Sequence, residues 1–264
     1  MVTGTDSGEH AGTEDLADRT AVVTGAGTGL GRAIAARLVR SGARVIAVGR
    51  RPAPLEELAA VHPGAVLPAP CDVSSPEDVT ALAERLRDED VSILVNNAGI
   101  GGPVADLVDI DPEEWDEVFA VNVRGTFLMC RALLPGMMRR GAGDIINLAS
   151  VSGKRPLEGR TPYCASKMAV LGLTSTLAFE AGRGGVRVNA LSPGPVESER
   201  MEHNYRAEAR RRGITPEEAR QAFVGRAALG RMVTPEEVAG AVHSILGMPG
   251  MTGADVDLSA GMVA

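Results

Sequence analysis

The chain has 264 residues, 44% of them apolar and 23% charged, with a net charge of −7. That length and apolar share suit one large α/β domain or two small ones. The acidic balance argues against nucleic acid or an anionic membrane as a partner, and the longest apolar stretches fall short of a membrane span.

Residues 1–17 are polar and acidic, without a basic start and apolar run, which predicts a mobile N-terminal tail rather than a secretory leader. Strand-like runs then recur at 20–24, 44–48, 65–69, 92–96, 144–149, 186–191 and 255–258. Val45-Ile46-Ala47-Val48 and Ile93-Leu94-Val95 are continuously apolar, as in strands buried on both faces of a parallel sheet. Between the first two runs Leu30, Ile34 and Leu38 recur every fourth residue, giving a helix with one apolar stripe. Ser75-Pro76, Asp111-Pro112, Thr215-Pro216 and Thr234-Pro235 are each followed by two acids. A side-chain cap, a proline and a negative first turn are helix starts, to which no chemistry is assigned. Alternation to the end predicts one doubly wound, Rossmann-like α/β domain over 18–264. Its parallel sheet has seven strands, with helices on both faces.

The first strand runs into Gly25, Gly27, Thr28, Gly29, Leu30 and Gly31, which open the first helix. Glycines admit a tight turn and a close-lying pyrophosphate, though a turn alone would use them too. No Lys-Ser/Thr follows, which excludes a P-loop. After the second strand, Arg50 and Arg51 stand where NAD would need an acid for its ribose hydroxyl. Guanidinium groups suit a 2′-phosphate, so NADP(H) is expected over NAD(H); two solvated arginines are the plain alternative. Cys71, Cys130 and Cys164 are far apart, consistent with reduced thiols and a cytoplasmic location, and the histidines lack metal-ligand spacing. No metal is expected.

Of the 27 basic residues only Lys154 and Lys167 are lysines, and Tyr163 is one of only two tyrosines. Lys167 follows Tyr163 by four positions, which on a helix puts both on one face. An ammonium there favours the phenolate and readies the ring to exchange a proton near neutral pH. Arginine, planar and always charged, is a poor substitute. The polar stretch 197–231 is long for a connection and reads as a lid over the substrate. Met201, His203, Tyr205, Phe223 and Met232 are its candidate pocket residues, or equally packing residues of two short helices.

Together the glycine-rich turn, Tyr163 and Lys167 resemble the single-domain short-chain dehydrogenase/reductase family from about Arg19 onward. Asn96-Asn97-Ala98-Gly99 is similar to its N-N-A-G segment, which implies that Asn97, Ala98 and Gly99 line the cofactor. Asp72 and Val73 resemble the pair at the adenine. Pro193, Gly194 and Val196 resemble the stretch holding the nicotinamide amide, with Ser198 where the family often has threonine. Asn122 and Ser150 occupy the places of the family's catalytic asparagine and serine, Ser152 being a nearby rival. Asp257-Leu258-Ser259-Ala260-Gly261 departs from the family's Asp-Gly-Gly.

The resemblance implies an NADP(H)-dependent carbonyl reductase or alcohol dehydrogenase. Hydride would pass between nicotinamide and a small carbonyl or secondary alcohol. Tyr163 would act as general acid and base beside Ser150, Lys167 would also hold the ribose, and Asn122 would anchor a proton-relay water. It further implies a homo-oligomer, tetramer or dimer. The alternatives are an NAD-dependent alcohol dehydrogenase, an epimerase or dehydratase, and a non-catalytic cofactor sensor or scaffold.

Overall fold

The structure, a computed structural model, describes residues 15–262. Strands β1 (Thr20–Thr24), β2 (Arg44–Gly49), β3 (Val66–Pro70), β4 (Val91–Asn96), β5 (Gly143–Leu148), β6 (Val186–Pro193) and β7 (Asp255–Leu258) form one sheet. Its order is β3-β2-β1-β4-β5-β6-β7, and every pairing is parallel. The chain winds outward from β1 to β3, then returns to place β4 on the other side of β1. That reversal opens a crevice at the C-terminal ends of the strands.

Helices α1 (Gly29–Arg40), α2 (Pro52–Val61) and α9 (Pro235–Leu246) cover one face. Helices α3 (Pro76–Arg85), α5 (Gly125–Arg140) and α6 (Thr161–Gly182) cover the other. The apolar runs divide by alternation: Ala21, Val23, Val45, Ala47, Ile93 and Val95 meet the first layer, whereas Val22, Ile46, Val48 and Leu94 meet the second. Burial on both faces is why these strands carry no polar alternate.

The expected helix starts form. Ser75 Oγ accepts from the Asp78 N–H at 3.1 Å, Thr215 Oγ1 from Glu218 at 3.2 Å, and Thr234 Oγ1 from Glu237 at 3.2 Å. At α4 (Pro112–Phe119) the Glu114 carboxylate accepts from the Asp111 N–H at 3.2 Å. A π turn at Ala120–Arg124 joins α4 to α5 into one 29-residue run, Pro112–Arg140. By length and composition this run could cross a bilayer, which the separate apolar stretches did not suggest. One side of the run instead packs on the sheet, with Met129, Cys130 and Met137 buried, while Phe127 and Met138 are exposed.

One expectation needs correction and a second takes a definite form. The tail predicted over 1–17 lies mostly outside the described residues, but Leu16 is wholly buried in the first core layer and bonds to Ser41. The segment 197–231, read as a lid over the substrate, contains two helices, α7 (Glu199–Arg212) and α8 (Pro216–Val224). Tyr205 and Met232 are buried in a small core between these helices, and His203 is exposed. Met201 and Phe223 pack against that core and also reach the cavity at the C-terminal edge of the sheet.

Burial pushes the Cys71 thiol up to about 11, the Cys130 thiol to about 12 and the Tyr205 phenol to about 12. An unfolded chain releases the thiol protons near pH 9 and the phenol proton near pH 10. Above those values the folded chain holds more protons than the unfolded one, so stability falls as pH rises. The contribution is intact below about pH 9 and is lost towards pH 12. Urea midpoints at pH 8 and pH 10.5 should show this decline, and Cys130→Val should flatten it; equal midpoints would count against it.

Candidate active site

A cavity of about 540 Å³ runs along the C-terminal ends of the strands. Its wall is built from residues just past the strand ends: Gly25 beyond β1, Asp72 beyond β3, Asn97 beyond β4, Ser150 beyond β5 and Gly194 beyond β6. Apart from Asn122, every residue expected for catalysis or cofactor binding lines this one cavity. That group comprises the glycine turn with Thr28 and Leu30, Arg50, Arg51, Asp72, Val73, Asn97, Ala98 and Gly99. It continues with Ser150, Tyr163, Lys167, Pro193, Gly194, Val196 and Ser198.

The glycine turn is shaped by close approach. Gly25 has φ +68°, and a Cβ at Gly31 would lie 2.2 Å from the Gly25 carbonyl oxygen and 2.5 Å from Asn97 Nδ2. Asn97 Nδ2 donates to the Thr24 carbonyl at 2.9 Å, and the Asn97 and Ala98 N–H groups both donate to Thr24 Oγ1 at 3.0 Å. β1, the turn and β4 are thereby locked together. Unlike α3, α8 and α9, α1 starts without a side-chain cap and has no acid in its first turn. Its first residues line the cavity, and a Cβ on Gly29 would meet open space. An uncapped helix start beside room for a ligand fits a pyrophosphate.

Arg50 and Arg51 are exposed at the far end of the cavity. Burial works against the Asp72 carboxylate, yet two hydrogen bonds from Ser74 and the charges of Arg50 and Arg124 hold it below its ordinary range.

Tyr163 and Lys167 share a face of α6 as the spacing predicts, with Lys167 Nζ 5.8 Å from the centre of the Tyr163 ring. Lys167 is buried and donates to the Leu148 carbonyl at 2.6 Å. Ser150 is buried where β5 ends; its Oγ accepts from the Ser152 N–H at 3.2 Å and lies 3.5 Å from the Pro193 carbonyl. Ser152 also lines the cavity. Its backbone braces Ser150, and the long Pro193 contact leaves the Ser150 hydroxyl weakly engaged and ready for a better partner.

Asn122 sits behind the wall, in the π turn, and is 1% exposed. Its Oδ1 accepts from the Ile100 N–H at 2.8 Å, and Nδ2 donates to the Ile100 carbonyl and to Ser166 Oγ, both at 3.0 Å. Ser166 Oγ in turn donates to the Tyr163 carbonyl at 2.7 Å. Asn122 therefore couples the loop beyond β4, which carries Asn97, to the helix that carries Tyr163. Its amide hydrogens are fully spent, so a relay water would have to use a carbonyl lone pair. Sequence reasoning does not reach Ser166, because a serine inside a helix carries no signal.

At the other end, the Gly194 N–H donates to the Leu258 carbonyl at 2.9 Å, and a Cβ on Gly194 would lie 2.9 Å from the Ser259 Cα. The unusual Asp257–Gly261 tail thus packs directly on the stretch expected to hold the nicotinamide amide. Ser198 caps α7, accepting from the Met201 N–H at 3.3 Å. Cys164 is partly buried, and burial raises its thiol. That suits a packing residue better than a redox one. Arg155, Arg160, Asn204 and Met262 also line the cavity, and no motif in the sequence points to them.

A family model described as short chain dehydrogenase matches residues 19–209. The 2-(R)-hydroxypropyl-CoM dehydrogenase of Xanthobacter autotrophicus is 44% identical over 188 residues, covering 68% of this chain and 75% of its own. The D-beta-hydroxybutyrate dehydrogenase of Rhizobium meliloti is 34% identical over 257 residues, 93% of this chain and 99% of its own. Among solved structures, 3-ketoacyl-(acyl-carrier-protein) reductase from Brucella melitensis complexed with NADH superposes with a TM-score of 0.82. It is 32% identical and covers 93% of this chain and 98% of its own.

Proposed function

The chain belongs to the short-chain dehydrogenase family and is an oxidoreductase, and from that premise we propose that it interconverts a carbonyl and a secondary alcohol with NADP(H), Tyr163 being the general acid and base. The observation that carries this reading is the shared cavity. The uncapped start of α1, Ser150, Tyr163 and Lys167 all open into it. The similar ketoacyl reductase holds NADH, and the two similar dehydrogenases act on hydroxyl compounds, as their names state.

When bound, the nicotinamide cofactor supplies or takes the hydride. Everything else falls to the chain. The α1 amides and glycine turn would hold the pyrophosphate, Arg50 and Arg51 the 2′-phosphate, and Lys167 the ribose beside the nicotinamide. Ser150 would donate a hydrogen bond to the reacting oxygen. Tyr163 would give that oxygen its phenolic proton during reduction and take it back during oxidation. Lys167 Nζ, held by Leu148, keeps positive charge beside the ring and favours the phenolate.

Cofactor choice is tested at Arg50 and Arg51. Each charge-assisted contact to a 2′-phosphate should contribute roughly tenfold in affinity. The Arg50→Ala, Arg51→Ala double variant should raise the KM for NADPH by about ten- to a hundredfold and leave that for NADH nearly unchanged. Parallel loss with both cofactors, or no loss with either, would favour NAD instead. The measurement is initial rates, followed by cofactor absorbance, on a panel of ketones, aldehydes and secondary alcohols.

A further inference from the structure

This chain carries a net charge of −7, yet the cavity wall is cationic. Arg50, Arg51, Arg155, Arg160, Lys167 and Arg226 face Asp72 and Glu197, which is six positive groups against two negative. The cofactor reading employs Arg50, Arg51 and Lys167. It gives no task to Arg155 or Arg160, which line the same cavity as Ser150 and Tyr163.

Arg160 is 7% exposed, which is rare for an arginine. Its Nη2 donates to the Gly101 carbonyl at 2.9 Å, and its guanidinium carbon stands 5.4 Å from the centre of the Tyr163 ring. It occupies the N-cap of α6, where the helix amides already carry positive partial charge. Placing a cation there adds nothing favourable to the helix dipole, so the helix start alone does not call for an arginine.

Arg155 follows the 3-10 turn Val151–Gly153, which leads directly from Ser150. Asp257 takes one arm of its fork, with Nη2 to Oδ2 at 3.0 Å. The other arm, Nη1, is buried and has no hydrogen-bond acceptor among the described residues. Buried donors are almost always satisfied, so an unsatisfied charged one beside a cavity calls for an acceptor from outside the chain.

Resting on the oxidoreductase reading, we propose that the substrate carries an anionic group, a carboxylate, sulfonate or phosphoryl, gripped by Arg155 and Arg160 beside the carbonyl held by Ser150 and Tyr163. Guanidinium forks bind such oxygens in two-point geometry. Arg155 sits beyond the Ser150 turn and Arg160 at the start of the Tyr163 helix, so the anchor and the reacting centre share the same supports. Such a substrate is an oxo acid in one direction and a hydroxy acid in the other. The anion is a handle; no bond to it forms or breaks, and it gains no electron. A cationic wall in an acidic protein also draws anions inward from solvent.

The test uses the full-length protein with NADPH and NADH. Initial rates are compared for 2-oxobutanoate and 3-oxobutanoate, each against its neutral amide, with acetonylsulfonate and acetonylphosphonate to distinguish the anion type. The better oxo acid should exceed its amide in kcat/KM by roughly ten- to a hundredfold. That ratio should fall towards one in Arg160→Met and in Arg155→Met. The second variant keeps the test decisive if loss of the Gly101 contact unfolds the first. An amide as good as its acid, or a ratio unchanged in the folded variants, would overturn the proposal. If neutral ketones turn over and none of the anions do, this inference fails while the oxidoreductase reading stands. If no carbonyl compound turns over with either cofactor, both fall.

Discussion

Tyr163→Phe is expected to lower turnover by about a hundred- to ten-thousandfold, equivalent to about 3 to 5 kcal/mol of barrier. The substitution removes one oxygen and keeps the ring. The ring's own surroundings, Arg160 at 5.4 Å on one approach and Lys167 at 5.8 Å on another, are available to phenylalanine as well. Ser166 bonds to the Tyr163 main chain, which the change does not touch. The fold and the cofactor cradle should therefore survive, so the loss should appear in kcat while affinity for the reduced nicotinamide cofactor, read by fluorescence titration, stays close to wild type. Ser150 remains to polarise the carbonyl, but a serine hydroxyl is a far weaker acid than a phenol beside an ammonium. A Tyr163→Phe enzyme with near-normal turnover would remove Tyr163 from the proton path and leave Ser150 or solvent as the donor.

The parts of this molecule legible in the sequence are those where one local rule decides the outcome. The strands are legible because both faces are buried, which forces apolar residues at every position, as in Val45-Ile46-Ala47-Val48. Their limits differ by a residue or two because ladder bonding continues past the apolar run, for instance through Ser192 and Pro193 in β6. Lys167 is legible through its scarcity: in a chain that otherwise uses arginine, it lies one helical turn from Tyr163. Leu16 escapes notice because a single apolar residue in an acidic segment has no period to reveal it. Tyr205 and Met232 read equally well as pocket or packing residues, because which way each residue of α7 and its flanks points depends on how the helix pair packs. Arg155 and Arg160 are invisible among so many arginines. Burial of Arg160 arises only when the loops beyond β5 and β4 meet beside α6, and its contact with Gly101 spans 59 positions.

Asn122 shows the same dependence on tertiary packing. By position it resembles the family's catalytic asparagine, and Ser166 ties it to the Tyr163 main chain, but its side chain contacts backbone and a serine rather than the cavity. A brace of this kind joins residues 22 and 44 positions away, so it holds Ile100 and Tyr163's helix in one rigid frame. The π turn around it is a local irregularity of a kind often found beside functional sites, and it carries the amide on the buried side of the helix run.

Lys167→Arg is expected to reduce turnover by at least about a hundredfold although charge is conserved. Lys167 is 6% exposed, and its Nζ makes a 2.6 Å bond to the Leu148 carbonyl. A Cβ at Gly99 would already lie 3.6 Å from Nζ and 3.1 Å from Asn122 Oδ1, so the wall ahead of the ammonium is close. Behind it, a Cβ at Gly153 would lie 3.0 Å from the Lys167 carbonyl carbon, so the helix has little room to withdraw. A guanidinium is longer and flat, and it presents five donors in a fixed fork where an ammonium presents three that rotate. It must either push Gly99 and Asn122 out of place or swing towards the cavity, into the space proposed for the ribose. The first outcome would show as a loss of thermal stability with kcat, the second as a raised cofactor KM with normal stability. Both differ from the signature of Tyr163→Phe, in which stability and cofactor binding hold while kcat alone falls. An arginine enzyme with wild-type turnover would mean that positive charge near the ring is sufficient, and the ammonium's compact shape would then carry no role in the chemistry.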